Sequence, residues 1–139
     1  LMRALRVDKL TYAALEATLQ AHASGRADTE LPVWRMFALT AAKIDARARA
    51  LAASLPASLQ VEIIDGRSAV GGGSAPDVAL PTRLIALTHE TMSAAALETA
   101  LRAAAPPIIA RIQDDRLLLD LRTVAPDEDA TLVDALSAL

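Results

Sequence analysis

The sequence predicts an α+β fold: an antiparallel sheet of about four strands with helices packed on it. Three observations carry this. Apolar residues recur at helical spacing in segments that open on Asp8 or Ser93 and stop at proline. A period of two appears in Leu59, Val61 and Ile63 and again in Leu117, Leu119 and Leu121. Between Ile108–Ile112 and Arg116–Arg122 lie Gln113, Asp114 and Asp115, a turn that folds two alternating runs into a hairpin.

Taken in order, Asp8 can accept from the free N–H groups of a first helix over about Asp8–Ala23, with Leu10, Ala14, Ala17 and Ala21 on one stripe. Ser24, Gly25, Arg26, Ala27 and Asp28 form a polar break. Leu31 and Pro32 then lead into a second helix that turns Ile44, Ala48, Leu51 and Leu55 inward, turns Lys43, Asp45, Arg47 and Arg49 to water, and ends at Pro56. The strand over Leu59–Ile63 follows, then a long connection from Asp65 to Pro81 that holds Gly66 and Gly71, Gly72, Gly73. Leu84–Leu87 offer a shorter strand. Ser93 caps a helix with Leu97 and Leu101 inward and Glu98 and Arg102 four apart, stopped by Pro106 and Pro107. After the hairpin, Asp127, Glu128 and Asp129 place negative charge at the positive end of a last helix with Leu132, Val133, Leu136 and Leu139 as its stripe.

Composition bounds the chemistry. The 139 residues suffice for one domain that buries roughly 65–70 % of its unfolded surface. Hydrophobic residues are 53 % of the chain, but Tyr12, Trp34 and Phe37 are the only aromatics, so the core is aliphatic. The absence of cysteine removes disulfides, thiolate catalysis and cysteine-ligated metals. No apolar run approaches a membrane span, and a cytoplasmic location is expected. A net charge of -3 gives no overall attraction to nucleic acid, so any RNA contact must come from a local arginine patch or from another part of a longer protein. A chain that opens on Leu1 with Met2 second is expected to be such a part.

Several residue patterns bear on a site. Arg3 and Arg6, three apart, would lie on one side of a helix or tight turn, where two guanidinium forks can hold one dianion. The alternative is a solvated surface. Gly71–Gly73 with Ser74 and Pro76 lack nucleotide-loop spacing; they suit either a close backbone approach to a substrate or neighbouring chain, or a flexible crossover. His22 and His89 stand far apart with no cysteine, which argues against a metal site. Arg111, on a strand, is expected to pair with Asp120 or Asp115 across the hairpin. Trp34 beside Arg35 is expected to pack in place, with an RNA base or a subunit contact as its other uses.

The run Arg3–Thr11 with Ala13–Leu19, the segment Leu31–Met36, the block Val70–Ser74 with Pro76, Leu80–Thr82, and the stretch Ile109–Val124 together resemble the C-terminal part of the bacterial selenocysteine synthase family, the L-seryl-tRNA(Sec) selenium transferases. The resemblance implies residues 1–55 as helices connecting to an absent large domain, and residues 56–139 as the small C-terminal domain of a fold type I pyridoxal 5'-phosphate enzyme. It further implies an activity that converts seryl-tRNA(Sec) to selenocysteinyl-tRNA(Sec) with selenophosphate as donor. The cofactor would serve as electron sink while the serine hydroxyl leaves and selenium adds. Arg3 and Arg6 match the arginine pair that binds the phosphate-like group. A cofactor of this kind is held by a lysine; Lys9 and Lys43, the only lysines here, suit that role poorly, so these residues alone are expected to be inactive and not to bind the cofactor covalently. A homo-oligomer is expected. The alternatives are a related pyridoxal phosphate lyase acting on a small phosphorylated substrate, and a non-catalytic assembly module.

Overall fold

The computed structural model describes residues 5–71 and 77–139. The chain divides into two compact units, Leu1–Leu39 and Thr40–Leu139. This division falls earlier than the expected boundary at 55/56; the helix that ends at Ala52 packs on the sheet.

The first unit is helical. Helix α1 (Lys9–Ala23) starts where Asp8 accepts from the Thr11 N–H at 2.9 Å. It ends in a glycine-terminated cap: Gly25 adopts φ +69°, its N–H donates to the His22 carbonyl at 3.1 Å, and the Arg26 N–H donates to the Ala21 carbonyl at 2.9 Å. Two short helices follow, α2 (Ala27–Glu30) and α3 (Pro32–Ala38), the latter with Pro32 in its first turn. The single helix expected from Pro32 to Pro56 is therefore two, broken at Leu39 and Thr40. The expected buried stripe of α1 is also largely absent: Ala21 is buried, but Leu10 is 83 % exposed.

The second unit holds the core. Helix α4 (Ala41–Ala52) is capped by the Thr40 hydroxyl, which accepts from the Lys43 N–H, and buries Ile44, Ala48 and Leu51. Strands β1 (Leu59–Ala69), β2 (Ala79–His89), β3 (Arg111–Gln113) and β4 (Arg116–Asp120) form one antiparallel sheet in the order β1-β2-β4-β3. The register pairs Ile63 with Ile85 and Ile85 with Leu119, so odd-numbered residues of these three strands share a face. Leu59, Ile85, Leu87, Leu117 and Leu119 are buried on it. Helix α4 lies on that side, since its Asp45 accepts from Arg83 Nε at 2.9 Å. Even-numbered residues make a smaller cluster on the opposite face, Leu84, Ala86 and Leu118 with Ile64 against them.

Helix α5 (Ala94–Arg102) starts at Ser93, whose hydroxyl accepts from the Ala96 N–H, and buries Leu97 and Leu101. The β3–β4 hairpin turns on Asp114 and Asp115, both at positive φ (52° and 56°), the backbone of a type I′ turn. Two 3₁₀ turns, Leu121–Thr123 and Pro126–Glu128, precede α6 (Asp129–Ser137), which buries Leu132 and Leu136. Each fully buried Leu or Ile stabilises the fold by about 1.5–3 kcal/mol over an exposed one, so most of the stability resides in this unit.

Of the connection expected from Asp65 to Pro81, both ends are strand. β1 runs through Gly66 to Ala69, and pairing extends to Ala69 opposite Ala79. β4 pairs with β2 only as far as Leu84 opposite Asp120. Beyond that point β1 and β2 continue as a two-stranded arm.

Candidate functional site

Arg6 is exposed in the non-helical segment just before Asp8. Helix α1 begins only at Lys9, so the described part of the Arg3–Arg6 segment, Leu5 and Arg6, is not helical; of the helix or tight turn expected there, the helix is not formed at these two residues. Among the described residues no hydrogen bond or ion pair engages the Arg6 side chain, which leaves its five N–H donors to solvent or an anion. Arg3 lies outside the described residues. The neighbouring Asp8 carboxyl is held below the usual carboxylate range, chiefly by the hydrogen bond from the Thr11 backbone. It stays anionic near neutral pH and fills the amides at the start of α1, so an anion at this place must be gripped by arginine rather than by the helix end.

The tip of the β1–β2 arm is the second candidate. Gly71 adopts φ +103° with open space around its α-carbon, a conformation that side chains rarely take. Gly72, Gly73 and Ser74 lie outside the described residues. Between the arm and the end of β4 is a polar network that sequence reasoning missed. Asp120, at the end of β4, accepts from the Ser68 hydroxyl at 2.6 Å, the Thr82 hydroxyl at 2.9 Å and the Arg122 N–H at 3.0 Å. The Arg122 guanidinium donates to Ser68 Oγ at 3.0 Å through Nε and to the Pro81 carbonyl at 2.6 Å. Thr82 and Arg122 are the buried polar side chains among the described residues. The alternating run predicts strand as far as Arg122; β4 ends at Asp120, and Arg122 lies in the 3₁₀ turn Leu121–Thr123, which the strand pattern does not announce.

Asp120 is engaged in this way, and among the described residues Arg111 pairs with neither Asp120 nor Asp115, the two partners expected for it. Arg111 is exposed and lies opposite Leu118 in register. Arg47, expected on the wet face of its helix, is instead two-pronged on Asp129 (2.6 and 2.7 Å) and donates to the Leu121, Val124 and Ala125 carbonyls at 2.9 Å each. All five of its donors are used, and they tie α4 to the start of α6. Trp34, 46 % exposed, meets His22 edge-on (5.2 Å between ring centres) and Phe37 (5.7 Å). His89 Nδ1 accepts from the Thr91 and Met92 N–H groups at 3.1 and 3.2 Å.

Lys9 and Lys43 are both exposed, on the first turns of α1 and α4. A Schiff-base lysine is enclosed together with its cofactor, whereas both of these stand exposed; the lysines here do not fit covalent pyridoxal phosphate. Among the described residues no group of three or more His, Cys, Asp or Glu side chains is placed to hold a metal ion, and no helix is long and apolar enough to cross a membrane. A cleft of about 380 Å³ lies between Pro106–Ile109 and α6, lined mostly by Ile108, Leu119, Val124 and Leu132.

The fold and these side chains define an α+β domain with a helical extension whose lysines and histidines all lie outside the buried core. Over residues 1–125 the chain matches the L-seryl-tRNA selenium transferases, and it belongs to that family. It is 44 % identical to the L-seryl-tRNA(Sec) selenium transferase of Geotalea uraniireducens, covering all of this chain and 31 % of the relative. The corresponding enzymes of Moorella thermoacetica and Aquifex aeolicus are 45 % and 37 % identical, over 98 % and 99 % of this chain and 30 % of each relative. The chain thus spans about three tenths of the length of the curated relatives it matches.

Proposed function

We propose that these residues are the C-terminal portion of an L-seryl-tRNA(Sec) selenium transferase, in which they complete a catalytic site whose cofactor lysine belongs to another part of the protein. The parent reaction converts seryl-tRNA(Sec) to selenocysteinyl-tRNA(Sec), with selenophosphate supplying selenium. The observation that carries this reading is identity of 37–45 % to enzymes of that name along essentially the whole chain.

Within that protein Arg6, with Arg3, binds the phosphate-like group of selenophosphate. A guanidinium stays charged at any working pH and grips tetrahedral oxyanions through two parallel N–H bonds, each worth about 1.5–3 kcal/mol when partly desolvated. The free donors of Arg6 support this. Pyridoxal 5'-phosphate, when bound in the parent enzyme, supplies an electron sink for replacement at the serine β-carbon. The fold type I assignment, a homo-oligomeric assembly and a cytoplasmic location belong to the same reading. So does the function of the first unit as a connection to a large domain. Its helix α1 exposes Tyr12, Leu15 and Leu19 to 53–58 %, along a groove where apolar partners fit.

The test is Arg6→Ala and Arg3→Ala in the full-length enzyme. Each is expected to raise KM for selenophosphate by about tenfold or more while changing that for seryl-tRNA less than about twofold. Equal loss for both substrates, or for neither, overturns the anion-binding role.

A further inference from the structure

We propose that Asp120 and Arg122, with the Ser68 hydroxyl held between them, form a clamp that fixes the direction in which the β1–β2 arm leaves the sheet; Arg122 is its positioning residue. The arm begins where β2 loses β4 as a neighbour, after Leu84, and pairing of β1 with β2 alone continues from Asp65 opposite Arg83 to Ala69 opposite Ala79. A free two-stranded ribbon of this length twists and bends readily, since an isolated hairpin is marginally stable in water. Here it is gripped from both strands along the paired stretch. Ser68 of β1 donates to the Asp120 carboxylate and accepts from Arg122 Nε. On β2, Thr82 donates to the same carboxylate and the Pro81 carbonyl accepts from Arg122.

The Arg122 N–H itself donates to Asp120, so the clamp closes on itself: carboxylate, hydroxyl, guanidinium and backbone are joined in one ring. Such a ring fixes angles as well as distances, because each hydrogen bond weakens steeply away from linearity. Arg122 is 5 % exposed and Thr82 2 %, an investment of buried polarity found at this one place among the described residues. From β1, Arg67 donates to the Ala79 carbonyl at 2.8 Å, and Pro81 has no N–H to offer. The open side of β2 past β4 is thereby closed to a further strand. What the clamp presents is a ribbon of set direction, whose far end carries Gly71 at positive φ.

Amide hydrogen exchange on the full-length protein tests this without reference to its catalytic activity. In Ser68→Ala, peptides covering 66–71 and 77–83 are expected to exchange about tenfold faster, the equivalent of one lost hydrogen bond. Peptides within Ala41–Ala52 and Leu84–Leu87 should change less than about twofold. Ser68→Thr keeps the oxygen and is expected to restore the protection, which mere loss of side-chain volume would not reproduce. Arg122→Lys, which keeps the charge but loses the fork, should behave as Ser68→Ala does. Unchanged exchange in the arm, acceleration of the same size throughout the domain, or failure of Ser68→Thr to rescue would each overturn the clamp.

Discussion

Gly66 of β1 lies directly against the Leu84 side chain of β2: a β-carbon built on Gly66 would stand 2.6 Å from Leu84 Cγ and closer still to Cδ1. The glycine is there for space. Leu84 in turn anchors the cluster with Ala86, Leu118 and Ile64 on the even-numbered face of the sheet. Gly66→Ala is expected to destabilise the protein by about 1–3 kcal/mol, as overpacking does. Denaturant unfolding checks this, and Leu84→Ala introduced alongside it should recover part of the loss.

The Arg47 latch gives a second expectation. Arg47→Met leaves three carbonyls and the Asp129 carboxylate without their donor, and losing charge-assisted hydrogen bonds of this partly buried kind costs about 1–3 kcal/mol. Amide exchange should show the change first in α6. Asp129→Asn keeps a hydrogen-bond acceptor and should cost less than Arg47→Met.

Asp45 sets a pH dependence. The hydrogen bond from Arg49 above all, opposed in part by burial and reinforced by the hydrogen bond from Arg83, holds its carboxyl below the usual range. A carboxyl whose folded pKa is depressed adds stability that is present above its unfolded value, about 3.9, and lost as pH falls through the lower folded value. Asp8 behaves in the same sense through its bond from the Thr11 backbone. Stability measured from about pH 5 down to about pH 2 should therefore fall, and Asp45→Asn should flatten that slope.

If the exposed face of α1 is covered by the rest of the enzyme, Leu15→Gln in the full-length protein should lower its melting temperature by several degrees, about 1–3 kcal/mol. Lys43→Gln, at an exposed position on α4, serves as the control and should leave it unchanged.

The elements legible in the sequence are those set by local chemistry. Asp8 and Ser93 cap the helices they were expected to cap, the alternation of Leu117 and Leu119 gives the strand, and paired aspartates make the hairpin turn. Where the sequence misled, tertiary packing outweighed the local signal. Gly66 reads as punctuation but sits inside a strand because Leu84 needs the room. Arg47 reads as a wet helix face because its partners lie 74 to 82 residues away. The stripe of α1 is a true apolar pattern whose partner is not among the residues that pack in its own unit. For the candidate site, Arg6 was legible as a residue type capable of holding an anion, whereas the Ser68–Asp120–Arg122 network was not. Its members come from both ends of a hairpin and a 3₁₀ turn, and no spacing in the sequence brings them together.

The most direct measurement is the conversion of seryl-tRNA(Sec) by the full-length protein that carries these residues, supplied with pyridoxal 5'-phosphate and selenophosphate. Appearance of selenocysteinyl-tRNA(Sec), dependent on selenophosphate and depressed by Arg6→Ala, is the predicted result. No conversion of the aminoacylated tRNA, with turnover instead of a small phosphorylated substrate, would contradict the account.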